Sequence, residues 1–112
     1  MTKFLAVFTG TPTNGPPPGM DEKALNAGIA AWGKWMGDHA ASIVEGGGPL
    51  GKTQQVSKTG MKDIRNNLAG YVVIEADSPE AAAAMFENHP HFTIFPGDGV
   101  EVMPVLAVPE TH

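Results

Sequence analysis

The chain has 112 residues, 42% of them hydrophobic and 17% charged, which fits one globular domain spanning residues 1–112. A net charge of -5 argues against a nucleic-acid or anionic-membrane partner, and the absence of cysteine excludes disulfides, thiolate catalysis and Cys-ligated zinc. No apolar run approaches the roughly 20 residues of a membrane helix, and no signal-peptide pattern opens the chain, so a cytoplasmic protein is expected.

Lys3 to Phe8 is a continuous apolar run of strand length, as expected of a strand covered on both faces. Thr9 to Gly19 is too rich in Pro, Gly, Thr and Asn for helix or central strand. A loop of that length serves either as a lid over a site or as a permissive surface connection. Asp21 opens a helix predicted to end near Ala41. Leu25, Ile29, Trp32 and Met36 form its apolar stripe at the 3.6-residue period, flanked by Gly28, Trp35 and His39.

Ser42 to Gly48 reads as a short strand running into a glycine turn. The glycine run has no GKS or GKT ending and opens no helix, so a phosphate loop is disfavoured. Thr53–Ser57 and Met61–Asp63 predict a hairpin around Lys58-Thr59-Gly60. Its surroundings carry Lys52, Lys58, Lys62 and Arg65, read as a solvated surface.

Tyr71 to Ala76 is the clearest strand. Ser78-Pro79 then starts an alanine-rich helix that runs to Asn88, with the serine as cap and the proline at the first helical position. Pro90 ends that helix and puts His91 in a loop. Gly97-Asp98-Gly99 turns the chain into a last strand over Val100–Val105, and residues 107–112 form a frayed tail.

The order is therefore β, α, β with a hairpin extension, β, α, β. Two helices cover one face of a four-stranded sheet. Yet Tyr71, Val73, Met103 and Val105 make the second face apolar as well, interrupted by Glu75 and Glu101. An apolar face left open looks for a partner sheet, and a second copy in a closed two-fold homodimer is the simplest.

At this point the chain resembles the YCII-related proteins, which include the DGPF-domain branch. The resemblance rests on the Trp32-x-x-Trp35 helix leading into Ile43-Val44-Glu45-Gly46-Gly47-Gly48-Pro49-Leu50. It rests too on the block from Gly70-Tyr71-Val72-Val73-Ile74 through Asp77-Ser78-Pro79-Glu80 and His89-Pro90 to Val100-Glu101-Val102-Met103-Pro104-Val105. It implies an α+β, ferredoxin-like βαββαβ fold, with a four-stranded antiparallel sheet and two helices on one face, dimerising into an α+β barrel. It also implies a cleft between sheet and helices with a histidine- and aspartate-based site, and lyase or dehydrohalogenase chemistry on small, often aromatic or halogenated compounds. Asp-Gly-Pro-Phe itself is missing; Lys58-Thr59-Gly60-Met61-Lys62-Asp63 stands in its place.

Two histidines are the candidate catalytic groups. His39 shares a helix side with Trp32 and Trp35 and could act as a general base near aromatic surface; otherwise it is a dipole-stabilised or packed helix-end residue. Asp38 points to nearly the opposite side. His89 falls on the inward stripe of the second helix and His91 just beyond it. Either could enter a small-molecule pocket, or serve as a cap and a loop residue. Their spacing, with no acid cluster nearby, makes a poor metal set.

Trp32, Trp35, His89, Phe92 and Glu45 are the candidate substrate-binding residues. The aromatics could equally be core, and Glu45 or Asp98 could fix a histidine tautomer. The expectation is an enzyme with no cofactor and no metal, moving a proton by histidine in a lyase or isomerase reaction on a small ligand. The alternative is a non-catalytic binding or interaction module on the same dimeric scaffold.

Overall fold

The computed structural model of the chain describes residues 1–11 and 19–109. The lid reading of the first loop falls mainly on residues 12–18, and the end of the tail on residues 110–112; both lie outside the described residues. Among the described residues, six strands and three α-helices follow one another as β1 (Thr2–Thr9), α1 (Glu22–Asp38), β2 (Ile43–Pro49), β3 (Thr53–Ser57), β4 (Gly60–Ile64), β5 (Leu68–Ala76), α2 (Pro79–Ala84), α3 (Pro90–Thr93) and β6 (Gly99–Pro104), with a 3-10 turn over Ala40–Ser42 between α1 and β2. Four strands form an antiparallel sheet in the order β2-β5-β1-β6, and β3-β4 is a separate hairpin inserted between β2 and β5. This is the expected ferredoxin-like βαββαβ arrangement.

Period-two alternation sets which residues face the helices. On β1, Phe4, Ala6 and Phe8 are buried beneath the helices, and their partners Ile74, Val72 and Gly70 on β5 alternate in the same phase. Trp35, Ala82 and Phe86 close this core from the helix side. Burying each of Phe4, Val72 and Ile74 is worth about 1.5–3 kcal/mol. The opposite face carries Leu5, Val7, Tyr71, Val73 and Met103, and no element among the described residues covers it. No helix among the described residues is long and apolar enough to cross a membrane.

Three local structures differ from expectation. The buried line of α1 runs through Gly28, Trp32 and Trp35, while Ile29 is 58% exposed. On the inward side Gly28 makes room for Phe95, just past the end of α3, which lies so close that a β-carbon at Gly28 would stand 2.5 Å from the ring.

The glycines after Glu45 do not leave the sheet but continue β2, with the register to β5 shifting on either side of Glu45. Gly47 adopts φ +63°, and a β-carbon there would stand 2.0 Å from the Tyr71 carbonyl oxygen. A bulge of that shape admits only glycine.

The third difference concerns Pro90. The α2 helix ends by Ala84 and the chain turns through Asn88, at φ +57°, before Pro90 starts α3. Pro90 thus occupies a first helical position rather than a terminus, because its missing N–H costs nothing there. His91 is buried in the first turn of a helix, not placed in a loop.

Candidate functional site

A cavity of about 440 Å³ opens between the sheet and α1. Phe8, Gly10 and Thr11 line it from the end of β1, Trp32 and Met36 from α1, and Gly46, Gly48 and Pro49 from β2. Gly70 and Val72 supply the β5 wall, and His91, Phe95, Pro96 and Gly97 the wall beyond α3. Among the described lining residues none has a charged side chain, and His91 alone has an imidazole. An apolar, aromatic-walled space with few polar groups is the usual form of a small-molecule pocket.

The position of His91 is built by backbone. Its Nε2–H donates to the Thr9 carbonyl oxygen at 2.7 Å, a bond between the first strand and the α3 turn. A carbonyl can only accept, so the neutral ring carries its proton on Nε2 and keeps a lone pair on Nδ1. Among the described residues Nδ1 has no hydrogen-bond partner.

The same Thr9 carbonyl accepts from Asp98 N at 2.9 Å, while Gly97 N donates to the His91 carbonyl at 2.9 Å. Gly97 packs directly on the ring: a β-carbon there would stand 2.3 Å from His91 Nε2. Its lack of a side chain is what lets the imidazole reach Thr9.

Behind His91 lies His89, fully buried. Its ring centroid stands 4.6 Å from Trp32, 4.7 Å from Trp35, 5.0 Å from Phe8 and 5.9 Å from Phe86. Nδ1 accepts the His91 amide N–H at 3.0 Å, so the proton of the neutral ring sits on Nε2, which has no conventional partner among the described residues. Burial pushes the imidazole down from 6.5 to about 4, and the neighbouring His91 and His39 add to the effect. A buried polar atom without a partner costs about 1–3 kcal/mol, a penalty an aliphatic side chain would avoid.

The other candidates are distributed differently. Trp32 is in the cavity wall, whereas Trp35 packs behind it and donates its indole N–H to the Met85 carbonyl at 2.9 Å. His39 caps the end of α1, its Nδ1 2.9 Å from the Trp35 carbonyl oxygen, and its ring lies tilted over Trp35 at 4.7 Å. It is not in the cavity wall.

Asp38 pairs with Lys34 on the surface at 2.7 Å, and that bond lowers its carboxyl from the usual value. Phe92 is 38% exposed and outside the wall. Glu45 lies on the opposite face of the sheet, where it accepts from the Tyr71 hydroxyl at 2.7 Å. The structure therefore joins His91 to Trp32, sets His89 and Trp35 directly behind them, and keeps His39, Phe92 and Glu45 elsewhere. No group of three or more His, Cys, Asp or Glu among the described residues could hold a metal ion.

Phe8, Thr9, Gly70 and Gly97 also shape the site, with no residue-type signal that marks them. Phe8 reads as strand core, Thr9 acts through a carbonyl every residue possesses, and the glycines matter for what approaches them.

No protein-family model matches the chain, and no curated protein does either. Among solved structures it is similar to the 5-chloro-2-hydroxyhydroquinone dehydrochlorinase TftG of Burkholderia phenoliruptrix AC1100, determined in complex with 2,5-dihydroxybenzoquinone. The TM-score is 0.54 at 20% identity, over 90% of each chain. A likeness at this identity shows the fold alone, an antiparallel four-stranded sheet packed on one face by helices.

Proposed function

We propose that this chain is a small-molecule enzyme of the YCII-related kind that needs no cofactor, and that His91 moves the proton. The observation behind this reading is a lining imidazole whose tautomer is held by the Thr9 carbonyl, leaving Nδ1 as a base beside an aromatic cavity. In an elimination, Nδ1 takes a proton from the substrate, the electrons of that bond form the new double bond, and the leaving group departs with its own pair. In an isomerisation the proton returns to a different atom. Trp32, Phe8 and Phe95 supply flat apolar walls for a ring-shaped substrate.

The fold neighbour is an enzyme that eliminates chloride from a hydroxylated ring, which supports hydroquinone-type compounds as the first substrates to try. The test is turnover of chlorinated and unchlorinated hydroxyhydroquinones, followed by chloride release and by absorbance. The wild type should act on at least one, and His91→Gln should lose about a hundredfold or more, as expected for a general base. Full activity in His91→Gln would overturn the assignment. Ligand binding without turnover in both proteins would favour the binding module.

The open sheet face supports a homodimer. The face-to-face sheets would close the barrel for which the fold class is named.

A further inference from the structure

We propose that His89 is the positioning residue of the site: its Nδ1 takes the His91 amide N–H and so fixes the backbone from which the His91 ring reaches Thr9. The inference rests on the reading of His91 as the proton-moving group and adds a second histidine with a different task.

The α3 helix is only four residues long; Pro90 has no N–H, and the Phe92 and Thr93 amides both donate to the His89 carbonyl, which leaves the His91 amide as the first-turn donor without a backbone partner. The side chain of His89 satisfies that amide inside the protein. The bond itself is buried. The His91 carbonyl is held by Gly97 N, and its ring by the Thr9 carbonyl across 82 residues of sequence. Of these three restraints, the one at the amide comes from a side chain.

The choice of residue is informative. Asparagine, aspartate or serine would cap a helix start equally well. Histidine instead fills the space between Phe8, Trp32, Trp35 and Phe86 with a flat ring, two of whose neighbours, Phe8 and Trp32, are also walls of the cavity. One side chain therefore sets both the backbone of His91 and the position of the rings that face the ligand.

Charge supports the same assignment. The Nδ1 atom can accept only while unprotonated, and burial in the aromatic cage holds His89 in that form at neutral pH. The ionisable side chains acting on it are His91 and His39. His89 thus places no positive charge beside His91 that would oppose its taking a proton.

The experiment is nitrogen NMR of the full chain with isotope-labelled histidines, together with amide exchange at His91. In the wild type at neutral pH, both rings should show the Nε2-protonated neutral form, and the His91 amide should exchange slowly. His89→Leu should speed that exchange by about tenfold or more, the order of one lost hydrogen bond, and His91 should lose its single tautomer. His89→Asn, whose side-chain oxygen can accept the same N–H, should restore both.

A His89→Leu protein with wild-type exchange and tautomer would overturn the proposal and make His89 a packing residue. Should that variant not fold, the wild-type spectrum decides: a proton on His89 Nδ1, or a freely exchanging His91 amide, contradicts it. None of these readouts depends on turnover. A failure of His91 as a base would show instead as full activity in His91→Gln with the tautomers as predicted.

Discussion

His89 and His91 are two residues apart and use opposite nitrogens: Nδ1 of His89 accepts the His91 amide, while Nε2 of His91 donates to the Thr9 carbonyl. One ring is sealed among aromatics and the other borders a cavity. The consequence is a division of labour. The buried imidazole is held unprotonated as an acceptor, and the lining one has, among the described residues, an unengaged Nδ1 lone pair.

Acid sensitivity follows from the buried ring. Unfolded His89 takes a proton near 6.5, but the folded one only near 4. Between those values the unfolded state binds more protons, so this group's contribution is intact above about pH 6.5 and is lost as pH falls toward 4. The full loss is at most about 3 kcal/mol. Urea unfolding at pH 7.5 and pH 4.5 should show a drop in the wild type that is smaller in His89→Leu by that order.

Gly97→Ala should be more damaging than a surface glycine change. Its methyl would stand 2.3 Å from His91 Nε2 and 2.5 Å from the His91 carbonyl oxygen. Overpacking of this kind costs about 1–3 kcal/mol. The thermal midpoint should fall, and the His91 ring should lose its bond to Thr9, visible as a changed ring nitrogen spectrum. Gly33→Ala, where a β-carbon meets nothing, should be neutral or slightly stabilising on helix propensity.

Tyr71 is the single tyrosine of the chain, so its ionisation can be followed by ultraviolet absorbance alone. Its hydrogen bond to Glu45 and the charge of that carboxylate raise the phenol above its ordinary value of 10.0. Glu45→Gln should bring the titration back toward that value. An unchanged titration would mean that the pair does not form in solution.

Dimerisation is tested on the open face. Leu5, Val73 and Met103 form one row across three strands, with Val73 in register with Leu5 and Leu5 with Met103. Sedimentation should give a dimer for the wild type and a monomer for Val73→Lys. A monomeric wild type at high concentration would leave the face without the proposed partner.

The strands were readable because their patterns are local: Lys3 to Phe8 is a continuous apolar run, and Val72 and Ile74 alternate with Tyr71 and Val73. The hairpin, the caps at Asp21 and Ser78, and the element order were readable for the same reason. The apolar run alone does not say which of its faces the helices cover; the structure puts Phe4, Ala6 and Phe8 there. The site was less so. Pro90 can stop one helix or start another, and only the turn at Asn88 decides. His39 does share a side with Trp35, but the cavity lies toward Trp32 and Met36, on the side of α1 where Phe95 packs against Gly28. Nothing local fixes the face of Glu45, because the register shifts of β2 decide it and turn the carboxylate toward Tyr71.

The most direct test of His91 as the working imidazole is an NMR titration of the labelled histidines with 2,5-dihydroxybenzoquinone. The account predicts saturable shifts of the His91 ring nitrogens, a smaller response of His89, none at His39, and binding weakened by about tenfold or more in His91→Gln, the scale of a lost hydrogen bond to a charged or strongly polar partner. Shifts centred on His39, or binding that His91→Gln leaves unchanged, would contradict it.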